Sequence, residues 1–336
     1  MQQFDISKFP MLTLDAAPGG VMAFDAGGMA FLVGELERRD PTLNEPLTAV
    51  TWQRDMPVKT GGGFVDSVAS FNVSYGSTGG PEDGLMGQDT NELPVIQADI
   101  GKDTVPVFIW GHILKVPMID QEKLQKVGRS LEQIYDKGLR LAHDKKLDEN
   151  VYYGFPEHGS YGLVNDPNIT TVTAAPHTSG GTDTQWSKKD ADEILADINR
   201  GLVGTIKASE YDNRGMADSV LIPWDQFSDI SMRKVGVTGD KSILTYLLEN
   251  NIAKKQGIEL TILPAKQCAG AGTGGADRMI FYRNDEEMVR MNITVPLKRL
   301  FTQPSAAHIA YLTPFVTQFS ALEWIYTTHA MYIDGI

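Results

Sequence analysis

The chain has a single cysteine, Cys268, in 336 residues. That excludes an intrachain disulfide and any cysteine-built zinc cluster. Basic residues are also scarce: 30 Lys and Arg stand against 43 Asp and Glu, for a net charge of −13. The deficit is not hiding a basic domain, since residues 1–117 carry −8, 118–150 carry zero and 151–336 carry −5. A protein that grips phosphates needs a local basic excess, so sequence-specific or direct nucleic-acid binding is not expected. Enclosing nucleic acid without gripping it stays open. No long apolar run exists either. The most apolar early stretch, Val21 to Val33, is broken by Asp25, Gly27 and Gly28 and is far too short to cross a bilayer. No basic patch precedes it, so no secretory signal is read and synthesis in the cytoplasm, without a membrane partner, is expected.

Catalytic and cofactor signatures are equally sparse. The histidines at 112, 143, 158, 177, 308 and 329 show no H-E-x-x-H and no metal-ligand spacing. No G-x-S-x-G elbow is present. "GAGTGG" at 270–275 matches a dinucleotide fingerprint in letters, but a strand-like segment, "RMIFYR", follows it where a helix N-terminus is needed to hold a pyrophosphate. "GVTGDKS" at 236–242 imitates a phosphate loop, yet its glycines are too close and Asp240 would repel phosphate; Asp240 reads better as a helix cap. No cofactor and no metal is expected. The one cluster with hydrolase-like letters is "PEHGSYGLVNDPNIT" at 156–170, where Glu157, His158, Ser160 and Asp166 crowd together. Its glycines and Pro167 argue for a bend, with Asn165 and Asp166 bonding backbone amides; a hydrolase using His158 and Ser160 is the alternative from a different class.

What is present is a globular composition, 42 % apolar and 9 % aromatic, with 33 glycines. Residues 1–28 are broken by Pro and Gly and read as an arm, followed by a short helix at 29–39 that Asp40-Pro41 stops. Residues 50–117 read as extended chain. "GFVDSVASFNVSYG" and "VPVFIWGHILKVP" are rich in β-branched and aromatic residues, and the Gly-rich, acidic stretch 76–94 between them reads as the tip of a long two-stranded excursion. Isolated two-stranded ribbons are marginal in water, so this one is expected to lie on a neighbouring molecule, with Glu82, Asp83, Gln88 and Asp89 as candidates for inter-subunit contact. The bland alternative is a hairpin folded back on its own domain.

Residues 118–149 are the clearest helix, with Asp120 as N-cap and a narrow stripe of Leu124, Val127, Leu131, Ile134 and Leu141. It would run about 43 Å. Beyond it come a strand at "TTVTAA", a helix from "SKKDADEILADINRGLVGTI" capped by Ser187, a strand around "DSVLIPW", a helix around "KSILTYLLENN" and a strand around "IELTILPA". "RMIFYRNDEEMVRMNITVP" reads as a hairpin turning at Asn284-Asp285, and the final stretch alternates like strands. The class is α+β.

The order of these pieces resembles the major capsid proteins of tailed bacteriophages with the Hong Kong 97 phage fold, in the encapsulin-related branch. Four stretches carry the resemblance: "FLVGELERRDP" (31–41), "NELPVIQADIGKDTVPVFIWGHILKVPMIDQEKLQKV" (91–127), "YYGFPEHGSYGLVNDPNIT" (152–170) and "HAMYIDGI" (329–336). It implies an N-arm over 1–50 and an extended loop over 51–117 that overlaps a neighbour. It further implies a peripheral domain from 118–185 plus 285–336 around a spine helix, and an axial domain over 186–284. The implied protein is a non-enzymatic virion component, assembled in the host bacterial cytoplasm into hexamers and pentamers around double-stranded DNA. A portal is implied as partner, and separate scaffold or decoration proteins are possible partners, since Met1 already opens the arm. In the 156–170 link, Gly162, Asn165, Asp166 and Pro167 would shape the turn. An encapsulin-type shell enclosing cargo enzymes is the rival within the fold. The founding member of the fold cross-links its subunits through Lys–Asn bonds; Lys59 and Lys102 lie in the extended loop here, but no motif identifies partners for them. We therefore expect boiled particles to run on a denaturing gel as one band near the chain mass of 36.9 kDa; a ladder of multiples would refute this.

Overall fold

The computed structural model describes residues 50–78, 93–120, 131–178, 181–236, 240–305 and 307–336, with no side chains described for 131–133. Val50–Ile336 form one compact unit. The expected arm, its helix at 29–39 and the tip residues Glu82, Asp83, Gln88 and Asp89 lie outside the described residues.

The β-branched alternation of the early segment produces β1 (Val58–Thr60), β2 (Ser67–Thr78) and β3 (Val95–Pro117). At 23 residues β3 extends about 75 Å. Its first half pairs antiparallel with β2, from Thr78↔Val95 to Ser67↔Pro106. Its second half pairs antiparallel with β11 (Ala310–Ser320), from Ser320↔Val107 to Ala310↔Pro117. β10 (Gln303–Ser305) and β9 (Val295–Arg299) flank β11 on its other side.

A second sheet joins β1, β8 (Val289–Ile293) and β12 (Leu322–Trp324). The third has the order β4 (Thr170–Thr173), β13 (Met331–Asp334), β7 (Arg278–Tyr282), β5 (Ser219–Ile222), β6 (Thr261–Pro264). Its inner strands β13, β7 and β5 are buried on both faces, which is why they read as largely apolar runs, whereas the edge strand β4 is mostly exposed. Val220, Ile222, Met279, Phe281, Met331 and Ile333 join one core with the helix Ala191–Ala208. Leu221, Ile280, Tyr282 and Tyr332, at the alternate positions, join a second core with Leu147, Val151 and Tyr152 of the helix Leu131–Tyr152.

Several local expectations change. Residues 118–120 are already helical, so Asp120 is not the N-cap, and the long helix ends at Tyr152 rather than 149. Its buried face carries Leu139, His143, Leu147 and Asn150, whereas Leu141 is only half-buried. Asp190, not Ser187, caps the next helix, and Glu193 closes a capping box with it. Ser242, not Asp240, caps the helix Ile243–Asn250 by accepting from Thr245 N. The expected hairpin at Asn284-Asp285 is not a hairpin: β7 pairs with β13 and β5, and β8 pairs with β1 and β12, so the chain changes sheet there.

One buried ion pair closes the third sheet. Arg278 and Asp334 sit directly opposite on β7 and β13, and Arg278 grips both carboxylate oxygens at 2.7 and 2.9 Å. Its Nη1 also donates to Val164 O at 2.7 Å, and its guanidinium lies over the Tyr332 ring. Burial pushes the Asp334 carboxyl up, but bonds from Arg278 and Thr273 outweigh it and hold the group below its ordinary range. The pair's contribution is therefore present above the unfolded value of 3.8 and lost as pH falls through the depressed folded one. Replacing Arg278 by Met strands a buried carboxylate and should cost about 3–5 kcal/mol at neutral pH. Urea melts should show this cost shrinking in acid as Asp334 protonates; a pH-independent loss would contradict the assignment.

Candidate functional site

The ribbon formed by β2 and the first half of β3 has two unlike faces. Opposed residues share a face, so the register puts Phe71, Val73 and Tyr75 beside Lys102, Ile100 and Ala98, with Ile96 beyond. The other face carries Ser70, Asn72, Ser74, Gln97, Asp99 and Asp103. The apolar face is not covered: Phe71 is 67 % exposed, Tyr75 77 %, Ile96 77 % and Ile100 65 %. Single exposed apolar residues are ordinary, but a contiguous row on a rigid strand pair marks a binding surface.

The ribbon root is fixed firmly. Gln318 accepts from Val65 N at 3.1 Å and donates to Val65 O at 2.6 Å. Gly61 N and Gly63 N donate to Ile293 O and Thr294 O. Below it, a clamp ties the helix Trp52–Asp55 to the long helix. Asp148 accepts from Thr51 N, Trp52 N and Gln267 Nε2 at 3.0, 3.2 and 2.8 Å. Buried Asp55 accepts from the Tyr152 hydroxyl and from Arg54, while the Tyr282 hydroxyl donates to Asp55 O at 2.7 Å. Sequence reading missed this clamp. The available signal was an acid, Asp148, next to the buried Leu147 near the helix end.

The link 156–170 wraps back over the end of the long helix. Gly154, at φ 64, ends that helix in the left-handed conformation. Leu163 N and Val164 N then donate to Val151 O and Tyr152 O at 2.8 and 3.1 Å, satisfying carbonyls the helix leaves open. Asn165 accepts from Gly162 N and donates to Tyr153 O, both at 2.8 Å. Asp166 accepts from Asn168 N at 2.9 Å, and Pro167 is exposed. At Gly162 a Cβ would lie 2.3 Å from both Tyr152 C and Tyr152 O, so backbone presses on backbone and only glycine fits. The hydrolase reading finds no support in this geometry. The Ser160 hydroxyl is buried without a hydrogen-bond partner, and exposed His158 makes its ring contact with Phe108 at 5.8 Å. Asp166 serves the turn, so these residues form no proton relay.

The other reactive groups are structural. Burial pushes the Cys268 thiol far up, away from the thiolate that a nucleophile requires. His143 is held down chiefly by burial, against a 3.1 Å contact to Asp144, and faces the Trp110 ring at 5.4 Å. Burial, reinforced by Arg283, pushes His329 down to about 4. Among the described residues no group of three or more His, Cys, Asp or Glu could hold a metal ion, and no helix is long and apolar enough to cross a membrane.

This architecture is shared with solved capsid chains. The capsid of Myoviridae phage XM1 matches with a TM-score of 0.73 at 17 % identity, covering 95 % of this chain and 100 % of that one. The capsid of a native GTA particle matches at 0.61 and 11 % identity, covering 89 % and 94 %. A chain of Microbacterium phage Oxtober96 matches at 0.58 and 14 % identity, covering 90 % and 96 %. The fold is the α+β Hong Kong 97 phage capsid fold. No curated protein matches the sequence. Residues 83–336 match the family described as major capsid protein, and the chain belongs to that family.

Two outcomes follow from the link and the histidines. Gly162→Val should cost about 3 kcal/mol or more, because neither backbone segment can yield, whereas Ser160→Ala removes an unpaired hydroxyl and should leave stability unchanged or higher. Differential scanning calorimetry compares the two; equal melting temperatures would refute the packing assignment. For His329 the folded value is depressed, so its contribution is present above the unfolded value of 6.5 and is lost as pH falls toward about 4. Urea stability measured from pH 7.5 to 4.5 should fall with acid, and His329→Gln should flatten that slope.

Proposed function

We propose that the chain self-assembles into a closed icosahedral shell of hexamers and pentamers that encloses the double-stranded DNA of a tailed phage. Membership of the major capsid protein family supports the reading at its coarse level. The observation that carries assembly is the uncovered apolar ribbon face of Phe71, Val73, Tyr75, Ile96 and Ile100. In this reading residues 51–117 act as the extended loop, laid over a neighbouring subunit. Residues 118–185 with 285–336 form the peripheral domain around the spine helix, 186–284 the axial domain, and 1–50 the N-arm. The role is structural rather than enzymatic.

Interlocked loops make many modest contacts act together, so the shell gains strength by multiplicity. Because the ribbon of one copy meets a different surface on the next, the contact is head-to-tail and closes into rings. The net charge of −13 suits a container that must not hold its packaged polyanion. A portal and separate scaffold or decoration proteins complete the particle in the host cytoplasm. An encapsulin-type shell differs in cargo, and double-stranded DNA recovered from nuclease-treated particles separates the two.

The double variant Phe71→Asp, Ile100→Asp changes only exposed positions, so its subunits should keep wild-type circular dichroism. They should elute from a sizing column as subunits or small oligomers where the wild type elutes as megadalton particles. Wild-type particles from this variant would overturn the assembly role of the ribbon face.

A further inference from the structure

Two unexplained features stand at opposite ends of the helix Ala191–Ala208, which at 18 residues runs about 27 Å. Beside its start lies the helix Trp224–Met232. Arg233, at the end of that helix, donates to Trp186 O at 2.9 Å and to Lys189 O, and Gln226 donates to Ile336 O at 3.3 Å. Its outer face is a row of residues one turn apart: Trp224, 58 % exposed, then Ser228, then Met232, 74 % exposed. Phe227 meets the Trp224 ring edge-to-face at 6.2 Å, so the indole projects from a fixed base. Its N–H has no acceptor among the described residues.

The other end of the helix opens on a cavity of about 600 Å³. Past Ala208 and Ser209 the chain turns through Glu210 and Tyr211, both in left-handed backbone at φ 51 and 64. Such strain in non-glycine residues clusters at functional sites. Met288 and Ile325 supply apolar lining, and Tyr326, 54 % exposed, adds an aromatic face. Glu210 and Glu287 are exposed on the wall, and neither carboxylate receives a hydrogen bond among the described residues. The volume suits a small ligand or one large side chain. Tryptophan, tyrosine and arginine are the residues that dominate protein–protein contacts, and Tyr326 and Arg214 both line this cavity.

We propose that the Trp224 side chain of one copy inserts into this cavity on the next copy, where its ring packs on Tyr326 and Ile325 and its N–H donates to one of the two free carboxylates. A second copy is the occupant because the chain carries a matching plug that it cannot use itself: plug and socket are held at opposite ends of one rigid helix. The inference rests on the assembly reading and gives it a second contact, separate from the ribbon. Plug and socket are different surfaces, so the contact is head-to-tail and, repeated, closes a ring.

The full chain carrying Ser228→Cys and Thr328→Cys tests the contact. Ser228 shares the face of Trp224, Thr328 lines the cavity, and both are exposed. The native Cys268 is buried and does not compete. A short bismaleimide added to assembled protein should give, on a denaturing gel, a ladder of multiples up to the pentamer or hexamer, because a head-to-tail link passes on from each copy to the next. Each single variant should give monomer alone. Trp224→Ala added to the pair should remove the ladder. In the native background it should raise the concentration needed for assembly about tenfold or more, whereas Trp224→Phe should keep most of the contact. Circular dichroism checks that these exposed changes leave the fold intact. Particles without a ladder, linkage that stops at dimers, or a ladder that survives Trp224→Ala overturns the site and leaves the assembly reading standing. A ladder from protein that forms rings but no shell supports the site and fails the shell reading alone. Protein that stays monomeric at every concentration overturns both.

Discussion

Strand β3 is hydrogen-bonded along its whole length, but with a different partner in each half. From Val107 to Pro117 it pairs with β11, which β9 and β10 anchor on its far side, and from Val95 to Pro106 it has only β2. That change of partner is what allows a ribbon to leave the body of the protein without fraying. A free two-stranded ribbon is marginal in water, yet here one strand is already fixed by its continuation into a sheet. Trp110, Leu114 and Val116, on the face of β3 that continues the ribbon's apolar face, pack against Leu139 and Phe315. The same face therefore passes from a covered core to an uncovered surface. The core part holds the ribbon, and the uncovered part stays open as an apolar surface.

The body has to be rigid for this cantilever to work, and its rigidity comes from burying one sheet on both sides. Alternate residues of β5, β7 and β13 serve two separate cores, so no side of that sheet can shift without disturbing packing. Arg278 couples the layers further by joining Asp334 on β13 to Val164 O in the link. The Tyr332 hydroxyl, donating to Leu163 O at 2.7 Å, repeats that connection from the same strand. The 156–170 link is thus a joint between the long helix and the sheet, and Asn165 and Asp166 are spent on its backbone geometry.

The periodic elements were legible in the residues, and the non-local ones were not. β2, β3 and the final strands announce themselves by alternation, and the link's Asx chemistry is local, so Asn165 and Asp166 could be read as turn residues. The Asn284-Asp285 turn is a real local signal too. Whether two flanking strands pair is decided elsewhere, by β1, β12 and β13, which the local letters cannot contain. Helix caps slipped for a related reason: several polar residues precede each helix, and Asp190 wins over Ser187 because Glu193 stands three residues on to complete the box. His143, Asp148 and Asn150 sit on a buried helix face that an apolar pattern cannot reveal, since their partners are Trp110, Thr51 and Ser320, far along the chain.

An exposed apolar ribbon with free edges is also a hazard, because it can pair with any extended chain. Two features limit that. Lys102 stands on the apolar face opposite Phe71, so an indiscriminate hydrophobic partner would have to bury an ammonium without a counter-charge. The reverse face carries Asp99 and Asp103, which oppose stacking of a second ribbon by like charge. A correct partner surface must therefore supply apolar area and an acceptor for Lys102 together. That requirement would make the ribbon face selective, because a docking surface that lacks the acceptor leaves a charge stranded in the interface.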